Sequence, residues 1–225
     1  MEKGDRMKDK IKEYCKTYHI ETMMSKAMLS HMELHHFKKG DVVMHTGKKL
    51  DYIMFIVSGK AKTLYLTHNG TNTLHSFLSP FSMIGDVEFF YDHPIINDVI
   101  ALCDMDCLCI STTHRKEIQK DERFIYTMAS QLSIKLINSN HNKSVSLNYP
   151  VENRLAAYIC ATSVQDCFQQ NLQDGAEMIG CSYRQLQRVL QMFVKEGYMV
   201  KVKKGTYRVM DWNYLQTLGK DIYVF

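Results

Sequence analysis

The stretch 172–210 constrains this chain most. It spells helix, tight turn, helix and basic hairpin, and it divides the second helix into an apolar and a cationic face. Leu186, Val189, Leu190 and Phe193 recur at i, i+3, i+4 and i+7, the period of a core-facing helical stripe. Arg184, Gln187, Arg188, Gln191 and Lys195 fall on the other side at the same period. Such donor-rich side chains read base edges or hold phosphates. Upstream, 171–179 fits a short helix with Asn171 as N-cap and Asp174 in its first turn. Gly180 ends that helix where a left-handed residue is needed, and Ser182 can cap the next one. Downstream, 199–203 and 206–210 flank Lys204-Gly205 as a hairpin wing.

Charge is concentrated in the same place. Residues 183–208 hold seven Lys/Arg and one acid, Glu196, a net +6 against +4 for the whole chain. Most charged helix faces are simply solvated, but duplex DNA rewards this distribution through counterion release. The competing reading is a redox- or small-molecule-sensing module that acts mainly through protein–protein contacts. A neutral or apolar helix face would favour that reading.

A chain of 225 residues has room for two modest domains, and 45% hydrophobic with 23% charged residues is ordinary for a globular protein. No apolar run reaches the ~18 residues of a membrane span; 99–110 is interrupted by Asp104 and Asp106. The charged N-terminus leads into no apolar h-region, so a cytoplasmic location without a membrane partner is expected. Cys15, Cys103, Cys107, Cys109, Cys160, Cys167 and Cys181 are odd in number and scattered, unlike an extracellular disulfide framework. His-Glu-x-x-His, Gly-x-Ser-x-Gly and Cys-x-x-Cys are absent, so no catalytic residues and no enzymatic activity are expected. Gly47-Lys48-Lys49 imitates the end of a phosphate loop, but its glycine spacing is wrong and no Ser or Thr follows the lysine.

Residues 1–30 read as a charged helical lead-in. Short apolar runs follow at 41–44, 52–57, 61–66, 73–78, 99–103 and 107–111, with glycines at 40, 47, 59, 70 and 85 between or beside them. Regularly spaced short strands predict a sandwich, jelly roll or barrel. From Asp121 the pattern turns helical, and Ile125, Met128, Leu132, Leu136 and Ser139 are spaced like a coiled-coil seam. That stripe fits either packing on the chain's own β domain or a dimer seam. Pro150 opens a further helix over 151–162.

Gly-punctuated strands, a long helix and a C-terminal winged helix together resemble the Crp/Fnr family of bacterial transcription regulators. The resemblance rests on Lys39-Gly40-Asp41-Val42, Phe55-Ile56-Val57-Ser58-Gly59-Lys60-Ala61, Ile84-Gly85-Asp86, Asn153-Arg154-Leu155-Ala156 and Gly180-Cys181-Ser182, in that order. Asn153 to Ala157, Ser182 to Leu186 and Lys203-Lys204-Gly205 are most similar to the YeiL branch. The resemblance implies an α+β fold: a jelly-roll, cyclic-nucleotide-binding-like sensor domain over 1–120, a long dimerisation helix over 121–148, and a winged helix-turn-helix over 149–225. It implies a homodimer on double-stranded DNA with an approximately palindromic site, and it allows RNA polymerase as a further partner. By motif position, Tyr183, Arg184, Gln187 and Arg188 are expected at base edges, and Ser182, Lys201, Lys203 and Lys204 at phosphates. Arg188 suits guanine, whose two acceptors a guanidinium can pair bidentately. Arg184 stands where many members of the family carry Glu, so the operator sequence is left open.

Members that bind cyclic nucleotide use a cassette beginning Gly-Glu and ending Arg-Ser or Arg-Thr. Here Gly85 is present, and Asp86 is a shorter carboxylate that could accept from a ribose hydroxyl. Ile96 and Asn97 replace the phosphate-binding arginine, with Asp98 beside them. A lost charged contact costs roughly 1.5–3 kcal/mol, so cyclic AMP is not expected and the cofactor is unknown. Gly85, Asp86, Asn97, Ser139 and Asn140 are the candidate effector pocket. Cys103, Cys107 and Cys109 are the candidate redox residues, the alternative being small hydrophobes in a β core. The histidines at 31, 35, 36, 45, 75 and 93 form no His-x-His pair, and no metal site is expected.

Overall fold

The computed structural model describes residues 2–66, 72–146, 149–220 and 222, with side chains throughout except at 2–6, 66, 72–74, 138–146 and 177. In chain order the elements begin with α1 (Glu2–Thr17), α2 (Lys26–Ser30), β1 (Met32–Phe37) and β2 (Val42–Met44). β3 (Tyr52–Ser58), β4 (Ala61–Leu66), β5 (Asn72–Leu78), β6 (Met83–Ile84), α3 (Asp86–Tyr91), β7 (Asn97–Ala101) and β8 (Met105–Ser111) follow. Next come α4 (Arg115–Ile118), α5 (Glu122–Ser146), α6 (Val151–Thr162) and β9 (Cys167–Gln169). The chain closes with α7 (Leu172–Met178), α8 (Tyr183–Lys195), β10 (Met199–Lys203), β11 (Thr206–Val209) and α9 (Trp212–Leu218). It divides into two compact units, Met1–Thr63 with Leu78–Ile137, and Leu64–Phe77 with Asn138–Phe225.

The N-terminal strands form two four-stranded sheets ordered β1-β8-β3-β6 and β2-β7-β4-β5. β3 and β8 are buried on both faces, and their period of two sorts side chains into two cores. Ile53, Phe55, Val57, Leu108 and Ile110 join Ile20, Met24 and Met28 of the helical lead-in and Phe124 and Met128 of α5. Met54, Ile56, Cys107 and Cys109 face the other way, with Met44, Ala61, Ile84 and Val99. The lead-in is fastened as well as packed. Tyr14 donates to Asp106 at 2.9 Å, and Tyr18 donates to the Val57 carbonyl at 2.9 Å.

Helix α5 starts at a built cap: Asp121 accepts from Phe124 N at 3.1 Å and from Ser25 N at 2.8 Å. Its first turns are anchored by Phe124 and Met128. Farther along, Leu136 of the predicted stripe is 63% exposed, and Ile134 and Ile137, which lie outside that stripe, are 51% and 67% exposed.

In the C-terminal unit, β10, β11 and β9 make a three-stranded antiparallel sheet in the order β10-β11-β9. β9 lies in a connection that the sequence pattern leaves unassigned. Leu155, Ile159, Phe168, Leu186, Leu190, Phe193 and Leu215 are fully buried in this unit. Among the described residues, no helix is long and apolar enough to cross a membrane.

Candidate nucleic-acid interface and sensor pocket

Helix α8 is set by the turn before it. Gly180 has φ +66°, and Cys181 N reaches back to the Ala176 carbonyl at 2.9 Å, closing α7 by a left-handed cap. Arg154 of α6 donates to the carbonyls of Ile179 and, at 3.2 Å, Gly180, placing a cation where the end of α7 carries partial negative charge. The same motif supplies Asn153, whose amide donates to the Leu218 carbonyl at 2.8 Å and ties down the end of α9. The local sequence around Asn153 and Arg154 carries no sign of these tasks. Their partners lie far along the chain.

Ser182 opens α8 with a reciprocal capping box. Its hydroxyl accepts from Gln185 N at 3.2 Å, and the Gln185 side chain accepts from Ser182 N at 2.9 Å. The Ser182 hydroxyl also donates to Gln185 Oε1 at 3.1 Å, so the residue expected at a phosphate is engaged in the cap. Leu186, Val189, Leu190 and Phe193 are buried, whereas Tyr183, Arg184 and Arg188 are exposed on the opposite face. Gln187 Nε2 donates to Tyr183 Oη at 2.9 Å, one turn apart. Lys201, Lys203 and Lys204 are exposed along the β10–β11 hairpin, whose turn uses Gly205 at φ +74°. Among the described residues, no carboxylate ion-pairs with Arg184, Arg188, Lys201, Lys203 or Lys204. The face is cationic and uncommitted.

The expected effector residues have other engagements. Gly85 has φ +90° at the start of α3, and a Cβ there would stand 2.9 Å from the Tyr52 carbonyl, so only glycine fits. Asp86 is not open to a ribose hydroxyl: it is 1% exposed, and both its oxygens accept from Lys135 Nζ, at 2.6 and 2.8 Å. Lys135 also donates to the Met83 carbonyl at 2.6 Å, so α5 supplies the cation for this carboxylate. The sequence pattern missed Lys135 because its partner is 49 residues away. Asn97 begins β7 with a buried Oδ1 that has no hydrogen-bond partner among the described residues. Ser139 and Asn140 fall in α5, outside the residues whose side chains are described.

Cys107 and Cys109 are fully buried in the core between the sheets. Burial pushes the Cys107 thiol up to about 12 and the Cys109 thiol higher still. The thiolate is the oxidisable form, so this placement disfavours both as redox switches. Cys103 lies apart from that core, half-buried.

Residues 34–121 match the cyclic nucleotide-binding domain family. The chain is similar to the regulatory protein YeiL of Escherichia coli O157:H7, with 29% identity across 76% of this chain and 79% of that one. It is also similar, at 22% identity across 73% of this chain and 84% of that one, to the cAMP-activated global transcriptional regulator CRP of Pasteurella multocida (strain Pm70). A transcriptional regulator of the CRP/FNR family from Thermus thermophilus shares the fold. It has a TM-score of 0.67 and 18% identity, over 84% of this chain and 98% of that one. The chain thus carries a cyclic nucleotide-binding domain, is similar in sequence to YeiL and CRP, and shares its fold with a regulator of the CRP/FNR family.

Proposed function

We propose that this chain is a transcription regulator that binds DNA sequence-specifically as a homodimer and whose N-terminal domain modulates that binding. The observation that carries the reading is the division of α8. Its rear is locked into the core, and its front presents Arg184 and Arg188, which form no ion pair among the described residues. In the bound state Tyr183, Arg184, Gln187 and Arg188 meet base edges in the major groove. Ser182, Lys201, Lys203 and Lys204 hold the backbone, Ser182 after releasing its hydroxyl from Gln185.

The dimer part of the proposal is supported by α5. Ile134, Leu136 and Ile137 are more than half exposed on a helix that is anchored near its start by Phe124 and Met128. Exposed apolar residues at this density mark an association face. Helix α5, within the expected segment 121–148 whose last two residues lie outside the described ones, then serves as the dimerisation helix, and a two-fold axis through it requires an approximately palindromic operator.

Selection from randomised duplexes with the purified full-length protein tests this. The expected result is a palindrome with half-sites about one helical turn apart. The burial of Cys107 and Cys109 predicts the same operator aerobically and anaerobically. A chain that selects no sequence under either condition is not a sequence-specific regulator.

A further inference from the structure

Three side chains that the DNA reading does not use meet in the N-terminal unit. His31 is the C-cap of α2, His114 closes the 3-10 turn Thr112–His114, and Glu117 lies in α4. His31 Nε2 stands 3.0 Å from Glu117 Oε2, and His114 Nδ1 stands 3.4 Å from Glu117 Oε1. The two imidazoles are stacked, with ring centroids 3.7 Å apart and planes 23° apart. One donor atom from each of the three residues lies within 4.8 Å of the other two. We propose that His31, His114 and Glu117 form a binding site for a divalent transition-metal ion of the zinc class.

The distances suit such an ion. Tetrahedral donors at about 2.0–2.1 Å from zinc stand about 3.3–3.4 Å apart. The two His–Glu separations, 3.0 and 3.4 Å, run to different carboxylate oxygens and lie near that value, so a shared ion requires the carboxylate to turn and the imidazole pair to open. Neutral imidazole is the form that ligates metal. Two imidazoles and one carboxylate select zinc, cobalt, nickel or ferrous iron over magnesium and calcium, which require oxygen shells. Three protein ligands also leave positions for water or a further group.

The scaffold holds the ligands in place. His31 sits between Met28 and Met32, and Glu117 precedes Ile118; all three anchors belong to one buried core. The side chains of His31, His114 and Glu117 remain 27%, 31% and 55% exposed, so an ion can enter from solvent. The ion would fasten the α2–β1 junction to α4, just ahead of the Asp121 cap that starts α5.

Titration of the purified full-length protein with Co(II) or Zn(II) alone, and with Mg(II) as control, tests the site. One Co(II) per chain is expected, with visible d–d bands and no thiolate charge-transfer band. Zn(II) should compete, Mg(II) should not, and Zn(II) should raise the melting temperature. His114→Ala should abolish the bands. Glu117→Gln can still hydrogen-bond to both rings but lacks the charge, and it should weaken binding at least about tenfold. Circular dichroism confirms that the variants fold. In the wild-type protein, ring-proton NMR should show Co(II) perturbing chiefly two of the ten histidines. Absence of one-to-one binding, charge-transfer bands showing cysteine ligation, wild-type affinity in folded His114→Ala, or perturbation of other histidines would each overturn the proposal.

Discussion

Arg188 and Arg154 illustrate two uses of a guanidinium in one unit. Arg154 is committed, donating to the carbonyls that end α7 and so fixing the turn from which α8 departs. Arg188 is exposed and forms no ion pair among the described residues, which leaves its five donors for a base. Arg188→Ala should therefore weaken binding to the selected operator by about 1–3 kcal/mol and relax the preference at one base pair in each half-site. Titration against the operator and its single-base variants checks this; equal losses on all of them would reassign Arg188 to the backbone. The exposure of Arg188 was legible in the sequence because it follows from helical period. Arg154 was not, because nothing local indicates that its side chain reaches a turn 25 residues later.

At the scale of elements, α5 has two regimes. Near its start it belongs to the N-terminal core, through Phe124, Met128 and the Lys135–Asp86 pair. Lys135→Met would leave Asp86 buried and unpaired. It should cost about 2–3 kcal/mol in urea unfolding, below the value for a fully buried pair because the ammonium is partly exposed. An unchanged unfolding midpoint would show that water replaces the ammonium. Beyond this anchor lie Leu136 and Ile137, exposed apolar residues of the proposed dimer seam. Leu136→Glu should shift the protein toward monomer in sedimentation velocity while leaving its secondary structure intact. A dimer that tolerates the charge would place the seam elsewhere.

For the whole molecule, acid sensitivity follows from networks that join distant segments. Burial alone would raise the Asp106 carboxyl. Hydrogen bonds from His36 at 2.7 Å and Tyr14 at 2.9 Å, with the charge of Lys10 nearby, outweigh burial and hold it below the ordinary carboxylate range. A lowered folded-state value stabilises the fold above the unfolded-state pKa, and that contribution is lost as pH falls through the folded value. Asp106→Asn should be less stable than the parent at pH 7, with the gap narrowing below about pH 4; denaturant unfolding at both pH values reads it. The sequence by itself determined the features governed by local period and turn chemistry: the strand runs, the long helix, and the α7–Gly180–α8–wing succession with its cationic face. Tertiary structure decided everything that depends on approach across long separations. It placed Lys135 on Asp86, sealed Cys107 and Cys109 in a core, added β9 to the wing sheet and brought His31 to His114. The reason is physical: backbone preferences and amphipathic period act within a few residues, whereas ion pairs, burial and ligand clusters exist only once the chain has closed its long loops.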